Sequence, residues 1–368
     1  MSLDQLRLRL NDLDRRLLEL VAERQAASRD IARAKSSTGY ATRDFARERE
    51  VLLRARANAA ELGVSPDVGE ALLKLLIRSS LTTQEQARVV AHSAGSGRRA
   101  LVIGGAGKIG GWFSQFLASQ GFGIDIVDPT LPGAAATSLD AYRAPLDHDF
   151  TIVATPLGAT NSILQQLAER RPTGVVFDVG SLKSPLRAGL AALQAAKVRV
   201  TSVHPMFGPN TELLSGRHVI FIDLGDAAAL AAAQGLFAPT MAELVVMKLE
   251  EHDHAIAYVL GLSHAVNIAF FTALAESGET APRLVQLSST TFDAQFDVAS
   301  KVAEESPALY FEIQRLNDYG AEALQALEHA VATLRAAVTQ GDAERFTQLM
   351  RQGFEYTRGR RQLTERRA

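Results

Sequence analysis

The spacing of apolar residues changes once along this chain, near residue 99, and that change constrains the fold more than any other feature. From Leu3, the apolar residues recur as Leu6, Leu10, Leu13, Leu17 and Leu20, then Ile31, a helical stripe that no Pro or Gly interrupts before Gly39. A helix of about 33 residues would be roughly 50 Å long at ~1.5 Å per residue, longer than a small domain is wide. It is expected to pair with another chain. A second helical stretch is predicted from about Arg43 to Glu61, punctuated by Gly63 and Pro66, and a third from about Asp67 to Gln86. The small, polar, glycine-bearing segment from Ala91 to Arg99 reads as a linker. Beyond it, β-rich runs alternate with helical ones: ALVIG near 100, IDIVD near 124, FTIVAT near 150, GVVFDVG near 174, VRVTSV near 198 and HVIFID near 218. Such alternation implies a mostly parallel sheet covered on both faces, the doubly wound α/β arrangement. After about Glu250 the text is helical to the end, broken near Gly278, Pro282, Pro307 and Gly341, and a lone helical domain of this kind is expected to supply a subunit interface. The expected divisions are 1–90 helical, 91–98 linker, 99–249 alternating strand and helix, and 250–368 helical.

Composition narrows the function classes. A chain of 368 residues exceeds one ordinary core, so two or three domains are expected. The formal net charge of -2 gives no global field for nucleic acid or an anionic membrane, so neither is expected as a partner. The absence of cysteine removes disulfides, thiolate metal sites and cysteine nucleophiles together, and fits a reducing, cytoplasmic setting. The opening MSLDQLRLRL reads as neither signal peptide nor anchor, and no apolar run reaches membrane-spanning length.

After the strand ALVIG comes Gly105-Ala106-Gly107-Lys108-Ile109-Gly110, followed directly by a helical run. The first glycine permits a tight turn, the second lets backbone approach a pyrophosphate, and the third lets helix pack closely on strand. The helix start then offers unpaired N–H groups to phosphates. Asp128, at the end of the next strand, can bind ribose hydroxyls and would repel a 2′-phosphate, so NAD is expected rather than NADP. Thr155, ending the run FTIVAT, is placed at the same sheet edge and joins the expected cofactor set. A glycine turn with no ligand is the bland alternative, and the strand, helix and acidic residue around it weigh against that.

His204 follows VRVTSV and opens the loop HPMFGP, at the carboxyl edge where open α/β sheets place ligands. A histidine there can accept a proton from a substrate hydroxyl while hydride leaves for a nicotinamide. Ser181, in DVGSLKSP on the preceding loop, is placed to orient that imidazole or the hydroxyl. With DVGSLK, HPMFGP, the glycine loop and Leu262-Ser263-His264, residues 99–360 resemble prephenate dehydrogenases. The resemblance implies oxidative decarboxylation driven by aromaticity, with His204 as base, Ser181 as its partner and His264 in the substrate pocket. The family has an arginine for the ring carboxylate where this chain has Lys301, which keeps the charge and loses the bidentate fork. Arogenate and 4-amino-4-deoxyprephenate therefore stand beside prephenate as possible substrates.

The first 90 residues resemble the all-helical chorismate mutases through Arg7, Arg24, Lys35, Asp44, Arg47, Glu48 and Gln84. Chorismate rearranges by a pericyclic step, so the enzyme must hold two carboxylates and stabilise charge on the breaking ether oxygen. The resemblance implies that the arginines clamp carboxylates, that Lys35 and Gln84 donate to the ether oxygen, and that Asp44 and Glu48 position the substrate hydroxyl and neighbouring side chains. Arg24 and Lys35, about three turns apart, share a helix face, whereas Arg7 points about 100° away from Arg24. In the family that arginine crosses from the partner chain, which implies a homodimer. A solvated, salt-bridged helix face is the bland reading of these charges.

The fold expected from pattern and resemblance together is thus a mutase bundle, a Rossmann-type sheet and a helical dimerisation domain, acting in tyrosine biosynthesis. A ligand sensor without turnover is the alternative from another class. No metal site is expected, because His252 and His254 in EEHDH point two ways on a helix and the acidic cluster reads as a solvated helix start.

Overall fold

The computed structural model describes residues 1–38, 43–92 and 94–367. Three helices come first: α1 (Leu3–Thr38), α2 (Phe45–Glu61) and α3 (Pro66–His92). The first is the long helix the leucine stripe predicts, and Leu6, Leu10, Leu13, Leu17 and Leu20 along it are all exposed. Among the described residues, α1 is hydrogen-bonded to α3 from its middle turns, through Gln25 Nε2 to Ser79 Oγ at 2.9 Å and the bonds of Arg24 and Ser28 given below. α3 runs to His92, past the predicted end at Gln86, because its last turns pack against the sheet domain, where Val89 is buried.

The sheet comprises β1 (Arg99–Ile103), β2 (Gly123–Val127), β3 (Phe150–Val153), β4 (Val175–Asp178), β5 (Val200–Pro205), β6 (His218–Ile222) and β7 (Glu243–Met247). Their order is β2-β1-β3-β4-β5-β6-β7, all pairs parallel except β5 with β6. Helices α4 (Lys108–Ser119), α5 (Leu157–Arg170), α6 (Arg187–Ala195) and α7 (Ala227–Phe237) cover the faces. Alternation with period two divides each strand between two cores: Leu101 and Ile103 join Leu164 and Leu190 on one face, Ala100 and Val102 join Phe113 and Phe177 on the other. Sequence reading missed β7, an edge strand whose residues are only half-buried or exposed and whose segment is short. The order reverses between β1 and β3, which places a crevice beyond their carboxyl ends, beside Gly104 and Thr155.

The C-terminal helices are α8 (Leu249–Ile256), a π-helical segment Ala257–Leu262, α9 (Ser263–Glu276), α10 (Ala281–Gln286), α11 (Thr290–Ala303), α12 (Pro307–Leu316), α13 (Gly320–Thr339) and α14 (Ala343–Arg367). The predicted breaks hold: Gly278 and Gly341 have positive φ, and Pro282 and Pro307 lie in the first turns of α10 and α12. One expectation needs correcting. The continuous helix Leu249–Glu276 has 28 residues and a mean hydropathy of 1.5 in its most apolar window, enough by length and composition to cross a membrane. It also carries the buried polar residues His252, Asp253 and Asn267, and Gln314 Nε2 donates to the Gly261 carbonyl at 2.8 Å, which binds the π segment to α12.

Two contacts bind α3 and α2 to the sheet domain. Glu85, 3% exposed, accepts the backbone N–H of Leu214 at 2.6 Å and of Met241 at 2.5 Å. Burial pushes its carboxyl up, against the lowering effect of those two amides. Arg43, beside α2, donates to Ser215 Oγ at 2.7 Å. Glu85→Ala leaves two amides of this junction without acceptors, at a cost of about 2 kcal/mol. The expected outcome is a lower unfolding midpoint and faster proteolysis between residues 94 and 97; an unchanged digestion rate would show that the carboxylate holds nothing together.

Candidate active sites

The glycine loop has the geometry of a dinucleotide cradle. The left-handed residue is Gly104, at φ 88°, one position before the glycine to which sequence reading assigned the turn. A Cβ on Gly105 would meet Ile126 Cγ2 at 2.6 Å, and one on Gly110 would meet the Gly104 carbonyl at 2.1 Å, so loop and helix approach as only glycine allows. Gly107 caps α4 without a side-chain bond, which leaves the first amides of Lys108 and Ile109 facing outward for an anion. Asp128 follows β2 and is 6% exposed. It accepts from Ala106 N at 3.0 Å, Thr130 N at 2.8 Å and Thr130 Oγ1 at 2.7 Å. Burial works to raise its carboxyl, but those bonds prevail and hold it below the ordinary aspartate range, so it is an anion at neutral pH. Thr155 forms the opposite lip, its hydroxyl 3.0 Å from that of Thr160. These features suit a dinucleotide: a close backbone approach, a helix start and a carboxylate for hydroxyls.

His204 lies near the end of β5, 4% exposed, and its ring is held from behind. Its Nδ1 is 2.9 Å from His252 Nε2, and His252 Nδ1 is 2.6 Å from Asp253 Oδ1. Asp253 in turn accepts the backbone N–H of Lys183 at 3.0 Å, together with the amide and hydroxyl of Ser184. Donors surround that carboxylate, so the polarity of the chain is fixed: His252 Nδ1–H donates to Asp253, and His204 Nδ1–H donates to the bare His252 Nε2. His204 Nε2, without a protein partner among the described residues, keeps its lone pair. Burial, then the neighbouring His252 and the Lys183 ammonium, hold the His204 imidazole well below its usual value, so it is neutral. Lys183, fully buried, bonds Asp178 Oδ1 at 2.7 Å and the Val203 carbonyl at 2.9 Å, pinning the DVGSLK loop beneath the imidazole.

The hydrogen-bond partner of His204 Nδ1 is therefore His252, not Ser181, which is half-buried and makes no hydrogen bond to the ring among the described residues. The reading of EEHDH as a solvated helix start is also wrong, since His252 and Asp253 are both 0% exposed. Leu249, His252, Asp253 and Ile256 share one buried face of α8, a spacing visible in the sequence that sequence reading overlooked. His264, at the start of α9, stacks on Tyr310 with centroids 4.2 Å apart, and its buried Nδ1 has no partner among the described residues. Lys301 is exposed on α11, with no hydrogen bond or ion pair to His204 or its partners among the described residues. α12 reaches the cleft, where Glu312 Oε1 accepts Gly158 N at 3.3 Å near Thr155.

The N-terminal helices hold a second polar face. Arg24 Nη1 donates to the Leu76 carbonyl at 3.0 Å and Ser80 Oγ at 2.8 Å, so its guanidinium is aimed by neutral acceptors, with no ion pair among the described residues. Gln84 Nε2 donates to Ser28 Oγ at 2.8 Å, one turn along α3. The other members diverge. Arg7 is exposed beside Asp4 at 3.6 Å, Arg47 pairs with Glu50 at 2.5 Å, and Asp44 caps α2 by accepting Arg47 N at 2.9 Å. Glu48 is taken by the fork of Arg43, at 2.9 and 3.0 Å, a residue that sequence reading did not single out. The side chain of Lys35 lies outside the described residues.

Three family models match: chorismate mutase type II over residues 6–85, the prephenate dehydrogenase nucleotide-binding domain over 132–246, and the prephenate dehydrogenase dimerization domain over 248–352. The chain joins a type II chorismate mutase to a prephenate dehydrogenase. The dehydrogenase match begins past the glycine loop, whose assignment rests on its geometry. Among relatives, the T-protein of Enterobacter agglomerans is 26% identical over 346 residues, 94% of this chain and 90% of that protein. The 4-amino-4-deoxyprephenate dehydrogenase of Streptomyces pristinaespiralis is 29% identical over 263 residues, 68% of this chain and 88% of that protein. The prephenate dehydrogenase of Aquifex aeolicus, solved with hydroxyphenyl propionate and NAD+, shares the fold at TM-score 0.56 and 20% identity, covering 72% of this chain and 98% of that one.

The dehydrogenase histidines also set a pH dependence of stability. Burial lowers His204, His252 and His264 below the ordinary imidazole value of 6.5. As pH falls through that value the unfolded chain takes up protons that the folded chain refuses, so stability drops on acidification. Urea midpoints at pH 7.5 and 5.5 should show the loss, and His264→Leu should reduce it; equal midpoints in the parent protein would contradict the buried neutral imidazoles.

Proposed function

We propose that the chain rearranges chorismate to prephenate on its N-terminal helices and then oxidises prephenate, with loss of carbon dioxide, to 4-hydroxyphenylpyruvate for tyrosine synthesis. The observation that carries the second step is the buried Asp253–His252–His204 chain, which presents a neutral imidazole lone pair at the carboxyl edge of the sheet. His204 Nε2 accepts the proton of the ring hydroxyl as hydride leaves the same carbon, and the ring becomes aromatic once carbon dioxide departs. NAD, when bound, supplies the hydride acceptor. Gly105, Gly107, Lys108, Ile109 and Gly110 would hold its pyrophosphate against the start of α4, Asp128 its ribose hydroxyls and Thr155 the opposite side. Ser181 and His264 would line the substrate side of the cleft.

In the mutase, Arg24 clamps a carboxylate and Gln84, with Lys35, donates to the ether oxygen. The uncovered leucine stripe of α1 supports a homodimer, since a second chain would both cover it and bring its own Arg7 to the site. The exposed apolar residues Val259, Leu287 and Val331 support a second interface through the C-terminal helices. A cytoplasmic location agrees with a cysteine-free chain.

A second reading of the substrate, an amino-substituted analogue of prephenate, is supported by the relative named for 4-amino-4-deoxyprephenate and by a lysine, Lys301, where the family carries an arginine. His204→Asn should slow NADH formation from prephenate by about 10²- to 10⁴-fold while chorismate consumption is unchanged. Full oxidation by that variant would remove His204 as the base.

A further inference from the structure

Two cavities at the junction of mutase and dehydrogenase share a wall. One, of about 350 Å³, lies between Glu48, Ile77 and Leu81 of the mutase and Leu213 and Ser215 of the loop after β5. The other, of about 310 Å³, extends past Gly208 and Asn210 to Lys108 in the glycine loop. Arg78, Leu213 and Arg217 line both, so the two spaces meet along these side chains. At one end, Ile77 and Leu81 are within a turn of Ser80 and Gln84 on α3. At the other, Gly208 follows His204 by four positions and Lys108 opens α4.

The walls are rich in cations although the chain as a whole is slightly acidic. Glu48 is already matched by Arg43, and Lys74 leans on Glu70 at 2.5 Å. Arg78 and Arg217 have no ion pair among the described residues, and the carboxylates of Glu212 and Glu305 lie only along the second cavity. Exposed cations on a convex surface are ordinarily just solvated. Here they border concave space, where low-dielectric walls focus their field on an anion. A bound dinucleotide would account for Lys108, but not for an arginine on a mutase helix facing another on the loop between β5 and β6.

We propose that this shared wall is a transit site for a dicarboxylate, along which prephenate passes from the mutase to the dehydrogenase by way of Arg78 and Arg217 before it equilibrates with bulk solvent. The inference rests on the two activities proposed above. Two carboxylates on one small molecule let successive cations take up one group while the other is still held.

The test is the lag before steady NADH formation when the full-length protein is given chorismate and excess NAD. The separate constants for chorismate consumption and prephenate oxidation set the lag expected for an intermediate released to bulk. The protein should show a lag shorter than that value. Arg78→Glu with Arg217→Glu should lengthen it about fivefold, toward the bulk value, with both separate rates held within about twofold. Salt raised from 0.05 to 0.5 M should lengthen the lag of the unaltered protein, because the Debye length falls severalfold, from about 14 to about 4 Å. A lag equal to the bulk value in the unaltered protein would overturn the transit site, and so would a short lag that neither charge reversal nor salt alters. Failure to turn over supplied prephenate is a different result, which would refute the activity itself.

Discussion

The fixed element of the dehydrogenase is a carboxylate surrounded by donors. Asp253 accepts two backbone amides and a hydroxyl from Lys183 and Ser184, and that saturation leaves His252 only one way to be protonated. Because His252 must donate toward Asp253, its other nitrogen must accept from His204, and the lone pair of His204 then points out to the cleft. A buried imidazole with no such chain behind it would have no reason to prefer the reactive tautomer. The helix that carries Asp253 also begins the C-terminal helices, and Asn317 Nδ2 donates to the Asp253 carbonyl at 2.8 Å, so the packing of those helices on the sheet helps to align His204.

The mutase follows a different logic, for its reaction needs shape and charge and no proton acceptor. Arg24 and Gln84 are aimed by neutral groups, Leu76, Ser80 and Ser28, which orient a side chain without cancelling its charge or its donors. Arg7 and Arg47 are exposed and satisfied by local ion pairs. Within one chain Arg7 thus lies apart from Arg24 and Gln84, and the bare leucine stripe of α1 is where the proposed second chain would bring its own Arg7.

Much of this was legible in the sequence. The glycine loop, the strand runs, the long first helix and the helix breaks at Gly278, Pro282, Pro307 and Gly341 are local features, in which a residue's chemistry and its immediate neighbours decide the conformation. What escaped was set by distant contacts. The partners of Asp253 are some seventy residues away at Lys183 and Ser184, so EEHDH looked like a polar helix start although His252 and Asp253 within it are buried. β7 was lost because an edge strand with one solvated face carries a weak signal. Glu85 resembled any surface glutamate, and only the fold brings Leu214 and Met241 to it.

The central claim is that His204 is neutral, with its proton on Nδ1 and a bare Nε2, because Asp253 and His252 impose that form. It is tested most directly by ¹⁵N NMR of histidine-labelled protein, with His204 assigned by substitution and followed from pH 8 downward. The predicted result is a single neutral tautomer protonated at Nδ1 that persists well below the ordinary imidazole range. Titration near 6.5, or a proton on Nε2 at neutral pH, would contradict it.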